Sequence, residues 1–184
     1  MDAIEALTQR ISVPQLSGDS VAQEHIDIMI QAALRAADHG WLRPSRFISV
    51  SGDARAALGK VFLESTDDWQ NLPEEKQQKL LNAPLRAPLI IVSVLSSHEH
   101  PRIPVLEQHL STAASTQNII NAAWALGLGA IWRTGDVAYN RKVAEKLGLK
   151  SNEQIVGFVY VGQRGTVKAI PEQNPADYLT QWQG

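Results

Sequence analysis

The sequence predicts one helix-rich, three-layer domain of the α/β or α+β class, on three observations. About four short runs rich in Val, Ile and Phe alternate along the chain with stretches of helical periodicity. The run Leu89 to Leu95 is apolar almost without interruption, as in a strand buried on both faces. From about Val105 to Leu126 the spacing is helical and no charge follows Glu107, as in a helix enclosed nearly all round by its neighbours. The 184 residues are 44% hydrophobic, enough for a sizeable core, and contain no repeat, low-complexity segment or linker. Residues 1–184 therefore read as a single domain.

The elements follow in order. Ala3, Ile4 and Leu7 give a short amphipathic helix over Asp2 to Gln9, ended before Pro14. Ser20 and Gln23 have capping-box spacing ahead of a helix carrying Ile26, Met29, Ile30, Ala33, Leu34 and Ala37, with Gly40 as its stop. A strand is expected over Arg46 to Ser51 and a helix over Ala54 to Leu63. Pro73 opens the next helix. After the Leu89 strand and the long Val105 helix, Gly127 and Gly129 lead into a short strand at Ala130, Ile131 and Trp132. Asp136 to Leu147 reads as one helix closed by Gly148, and Ile155 to Val161 as a second buried strand. Tyr178, Leu179 and Trp182 sit on the terminal arm, where packing on a partner explains them better than a free tail.

Composition narrows the chemistry. With 17 basic and 19 acidic residues, net charge −2 and no Lys/Arg cluster, neither nucleic acid nor a membrane surface is the expected partner. The absence of cysteine excludes disulfides, thiolate nucleophiles and Cys-ligated metal clusters, and fits a reducing, cytoplasmic setting. The first ten residues carry early acids and no apolar run, unlike a secretory signal, and the longest apolar stretch is too short to span a bilayer. There is no G-x-S-x-G elbow, no P-loop and no dinucleotide fingerprint.

Four places could bind or react. Gly127 to Gly135 delivers Arg133 and the Thr134 hydroxyl to a strand end, where a guanidinium fork suits a phosphate, or where an ordinary turn carries a solvated Arg. Arg10 and Ser12, after the first helix, offer a second cation and hydroxyl that could share the same anion. Arg35 and His39 are four apart, on one face at the end of the second helix, or simply answer its macrodipole. His98, Glu99, His100, Glu107 and His109 could form a metal cluster, but lack the helical spacing of zinc enzymes, so no metal site is expected.

Five motifs occur in order: D-A-I-E-A-L-x-x-R-x-S at the start, R-A-A-D-H at 35–39, A-P-L-I-I-V at 87–92, G-L-G-A-I-W-R-T-G at 127–135 and I-V-G-F-V-Y-V-G at 155–162. Together these resemble the compact branch of the NAD(P)H nitroreductase family. The resemblance implies an α+β three-layer sandwich with helices around a mostly antiparallel sheet, built as an intertwined homodimer with FMN at the interface. It implies FMN contacts from Arg10, Ile11, Ser12, Trp132, Arg133 and Thr134 of one subunit and from Arg35 and His39 of the other. It also implies NADH or NADPH binding along Ala122, Ala123, Trp124, Ala125, Leu126 and Gly127, hydride passage through the flavin, and a small electron-poor acceptor such as a nitroaromatic or quinone. Two departures stand out: Ile11 replaces a usual second Arg, and Pro44-Ser45-Arg46 replaces a usual Pro-Trp-Arg turn. The first removes a cation that Arg43 or Arg46 would have to replace. The second puts substrate choice in question and leaves room for a non-catalytic flavin-binding member.

Overall fold

The computed structural model describes residues 2–167 and 169–184. Five strands form one sheet in which every pairing is antiparallel: β1 (Leu16–Ser17), β2 (Ser45–Ser51), β3 (Leu89–Ser96), β4 (Leu128–Arg133) and β5 (Glu153–Arg164). The order across the sheet is β2, β3, β5, β4. The two-residue β1 extends the β3 edge of β5, Leu16 opposite Arg164. Only β1 lacked a sequence signal, since two residues carry no readable alternation.

The period of two in β3 sorts its side chains into two cores. Ile90, Val92 and Val94 face α3 (Ala54–Glu64), α6 (Asp136–Tyr139) and α7 (Arg141–Lys146). Leu89 and Ile91 face α2 (Gln23–Ala33) and α5 (Val105–Ala125), where Met29, Ile119 and Ala123 close the opposite layer. The sheet is thus the middle layer of the expected sandwich. On the first side α4 (Glu74–Asn82) packs outside α3, and Pro73 caps its start.

Several local expectations are corrected. The N-terminal helix α1 (Ala3–Gln9) does form, with Asp2 Oδ1 accepting from the Glu5 N–H at 2.8 Å. The capping box of Ser20 and Gln23 does not: α2 begins at Gln23 after Ala22, with no side-chain cap. That helix also ends early, at Ala33, where the chain tightens to i→i+3 bonds from Arg35 N–H to Ala32 O and Ala36 N–H to Ala33 O, and Asn118 of α5 also donates to Ala32 O at 3.1 Å. Arg35 therefore lies in a turn and His39 in a separate 3-10 turn, not on one helical face. The expected 136–147 helix breaks at Asn140 (ψ 116°), whose side chain caps Lys142 N at 2.9 Å and donates to Ser65 O at 2.7 Å.

The long helix α5 is not enclosed throughout. Leu106 and Leu110 are 67% and 61% exposed on its first turns. Its inward face carries hydroxyls where aliphatic residues would be the default. Thr116 meets Ser93 of β3 at 2.6 Å, and Ser45 of β2 meets Thr112 at 3.2 Å and Ser115 at 3.1 Å. Each of these buried oxygens is satisfied, so the seam costs little of what an unpaired hydroxyl would.

Candidate functional site

The first cluster sits on the outer edge of β4. Val13 N–H donates to Ala130 O at 3.0 Å, which ties the arm after α1 to the strand. Ala130 is three residues before Arg133, about 10 Å along an extended strand. Arg10 and Ser12 thus reach the same edge of the sheet as Trp132, Arg133 and Thr134 within one chain. The close fit depends on Gly129, where a Cβ would stand 2.8 Å from Leu16 Cδ2 and 3.1 Å from Val13 Cβ. Gly129 therefore makes room for the chain's own arm.

Trp132 and Arg133 alternate across β4. The Trp132 indole turns toward the α2/α5 layer and donates to Val156 O at 3.3 Å, lying over Gly157, where any Cβ would overlap it. Arg133 turns the other way. Its guanidinium stands 5.6 Å from the centre of the Tyr160 ring, and its Nε is buried with no hydrogen-bond partner among the described residues. An arginine donor buried without an acceptor costs free energy unless an anion completes it. Burial raises the Tyr160 pKa, against the opposing pull of Arg133 and Arg86, so the phenol stays neutral. Beyond Gly135 opens a cavity of about 550 Å³ lined by Leu72, Val137, Lys76, Lys79 and Arg86, and also by Asp67 and Asp136. These three cations make no ion pair among the described residues. Nothing in the sequence marked them, because lysines on an amphipathic surface helix look like any solvated face.

The second cluster lies at the other end of α5. His39 Nδ1 is bonded to Glu107, and Ser111 Oγ donates to Ala37 O at 2.8 Å. Arg43 N–H donates to Asp38 Oδ2 at 2.7 Å, folding the 34–43 loop over a cavity of about 430 Å³ that Ser45 and Ser115 also line. Trp124, at the far end of α5, contacts Val13 of the first cluster. The 17 residue steps from Glu107 to Trp124 make roughly 25 Å of helix. That length separates Glu107, the partner of His39, from Trp124, whereas Arg35 lies closer to the middle of α5, where Asn118 shares the Ala32 carbonyl with the Arg35 N–H.

Arg46 is not available as a replacement cation. It grips Glu153 with two bonds of 2.5 and 2.7 Å, and Glu153, 3% exposed, also accepts from Lys150 N–H at 2.8 Å. The Arg46 hydrogen bond, outweighing the cost of burial, lowers the Glu153 pKa to about 2. Arg43 is left as the cation nearest the altered turn. In the 122–127 segment the Ala123 and Trp124 side chains are buried, whereas Ala125 and Gly127 are exposed and Ala122 and Leu126 are half-buried. The histidine loop has its own job: His100 Nδ1 accepts from Arg102 N–H at 3.2 Å and Ile103 N–H at 3.0 Å. Among the described residues, no group of three His, Asp or Glu is placed to hold a metal ion. No described helix is long and apolar enough to cross a membrane.

An all-antiparallel sheet between helical layers defines a three-layer α+β protein with arginines at one sheet edge and in the 34–43 loop. The chain belongs to the nitroreductase family, whose family model matches residues 7–163. A curated protein of Escherichia coli strain K12, "Putative NAD(P)H nitroreductase YdjA", is 32% identical over 182 residues, 98% of this chain and 99% of its own. A Bacillus subtilis strain 168 relative, "Putative NAD(P)H nitroreductase YfhC", is 26% identical over 93% of this chain and 89% of its own. Among solved structures, a nitroreductase-like family protein from Bacillus cereus superposes with a TM-score of 0.86 at 23% identity, covering 100% of this chain and 97% of that one. A structure described as "a putative nitroreductase in complex with fmn" from Desulfovibrio desulfuricans gives 0.76 at 18% identity, covering 98% of this chain and 96% of that one.

Proposed function

We propose that this protein is a flavin-dependent oxidoreductase that takes hydride from NADH or NADPH and passes it to a small electron-poor acceptor, a nitroaromatic or a quinone. The observation that carries this reading is Arg133, a guanidinium at a strand end with a buried donor that lacks an acceptor. It shares that edge with Arg10 and Ser12, which suits the phosphate of FMN. When bound, FMN supplies the hydride chemistry. The chain's own part is to bind, orient and stabilise charge. Arg10, Ser12, Arg133 and Thr134 hold the phosphate end, and Ile11 and Trp132 flank it. The cavity beyond Gly135 would offer apolar surface from Leu72, Leu80 and Val137 to a bound ring. Lys76, Lys79 and Arg86, set against Asp67 and Asp136 in the same lining, would supply positive charge to stabilise the anion formed on reduction. Arg35 and His39 would reach the flavin from a second copy, since His39 is tied to Glu107 at the opposite end of α5 from Trp124 and the arm that packs on it. The exposed strip of Leu106 and Leu110 and the arm of Tyr178, Leu179 and Trp182 are the surfaces proposed to bury in that homodimer. The solvent-facing edge of the 122–127 segment, Ala125 and Gly127, is the proposed contact for the dinucleotide.

Purified protein should be yellow, or become so with FMN, and should bleach anaerobically with NADH or NADPH. Arg133→Gln should weaken FMN binding by about tenfold or more, the loss of a charge-assisted bond. A protein that stays colourless with FMN sinks the reading. A second reading is favoured by the engagement of Arg46 with Glu153, which leaves the 44–46 turn without a free guanidinium. In that reading the flavin is bound but inert to NAD(P)H, and the bleaching experiment separates the two.

A further inference from the structure

We propose that Arg164 is a positioning residue that holds both sides of the phosphate cradle in register, an inference that rests on the FMN reading above. Arg164 ends β5 and points back across the sheet edge rather than into solvent. Its Nε donates to Leu128 O at 2.9 Å, at the first residue of β4. Its second terminal nitrogen donates to Trp124 O, in the last turn of α5. Its guanidinium carbon lies 3.8 Å from the centre of the Trp124 ring. One planar fork thus joins the end of α5 to the start of β4 and clamps the indole between them.

That indole is the floor under the arm. Trp124 is 5% exposed and packs with Ala6 and Val13, with Ile11 and Leu16 at its margin. Val13 is the residue that bonds Ala130. The path is short: Arg164 fixes Trp124, Trp124 carries Ile11 and Val13, and these flank Ser12. The same Arg164 fixes Leu128, five residues before Arg133 on one strand. Both halves of the cradle therefore take their position from one side chain that does not itself belong to it. No acidic side chain pairs with Arg164 among the described residues, so its donors are committed to backbone carbonyls and the ring face. Lysine cannot reproduce that geometry, because one ammonium has neither the planar fork nor the stacking face.

Riboflavin has the ring and ribityl chain of FMN but no phosphate, and provides the discriminating probe. Apo-protein is titrated with FMN and with riboflavin, following flavin fluorescence, alongside thermal unfolding of the apo-protein. For Arg164→Gln the FMN Kd should rise by about tenfold while the riboflavin Kd moves less than about twofold. Arg164→Lys should not restore the lost discrimination. Arg141→Gln serves as the control, since Arg141 also bonds backbone carbonyls, those of Glu153 and Lys150, on the far side of the domain. It should leave both flavin affinities unchanged. If Arg164→Gln does not fold, Trp124→Phe shrinks the same floor while losing no hydrogen bond, because the indole N–H has no partner among the described residues. It should give the same FMN-selective loss. Equal weakening of both flavins, or no weakening of FMN in a folded variant, overturns the proposal. Wild-type protein that binds neither flavin overturns the function itself.

Discussion

At the scale of single residues, the strongest electrostatic contact lies away from the proposed chemistry. Glu153 is buried against Arg46, whose guanidinium is partly solvated, and the folded pKa of about 2 lies below the ordinary 4.5. The stability this carboxylate contributes is complete above about pH 4.5 and is lost as pH falls toward 2. Glu153→Gln should cost about 2 kcal/mol at pH 7, discounted for the partial exposure of Arg46. The thermal midpoint should then drop by roughly 4–8 °C. The gap between wild type and variant should narrow as unfolding is repeated from pH 5 down to pH 2.5. A gap that stays constant across that range would mean that the pair is electrostatically idle. Sequence alone could not have found the pair, because residues 46 and 153 meet only through the registers of β2 on β3 and β3 on β5.

At the scale of elements, what was legible was what periodicity encodes. The β3 strand, the body of α5 and the β5 strand stand where the apolar runs put them, since burial on two faces leaves a continuous hydrophobic signature. The Arg35–His39 pair was misread for a physical reason. Leu34 and Ala37 continue a helical rhythm, but the backbone tightens to i→i+3 bonds from Arg35 N–H to Ala32 O and Ala36 N–H to Ala33 O, and side chains of α5 then bind the loop, Asn118 at Ala32 O and Ser111 at Ala37 O. The β4 strand carries an equally specific constraint. Gly157 exists to make room for the Trp132 indole, and Gly157→Ala should displace that ring from the strand. We expect a loss of about 1–3 kcal/mol in denaturant unfolding, with a weakened Trp near-ultraviolet dichroism signal. An unchanged signal would show that the ring has another resting place.

At the scale of the whole molecule, the proposal that each flavin is shared between chains makes a quantitative prediction. Sizing at neutral pH should give about twice the monomer mass, and Leu110→Glu should shift it toward the monomer with parallel loss of flavin. Mixing refolded Arg35→Gln and Arg133→Gln proteins, each weak in binding, should restore about one quarter of the sites to full affinity. Half of the random dimers are mixed, and each mixed dimer has one site free of both changes. No recovery on mixing would place both arginines on a flavin bound by one chain. How well such a shared site works depends on the hydroxyl seam under α5. Aliphatic layers tolerate sliding, whereas Thr116 on Ser93 and Ser45 between Thr112 and Ser115 key the helix to the sheet like teeth in a rack. A spacer that cannot creep would turn α5 into a gauge block: in the proposed dimer each protomer would offer its two half-sockets at one fixed separation, and a twofold mate made from the same part would meet them without adjustment.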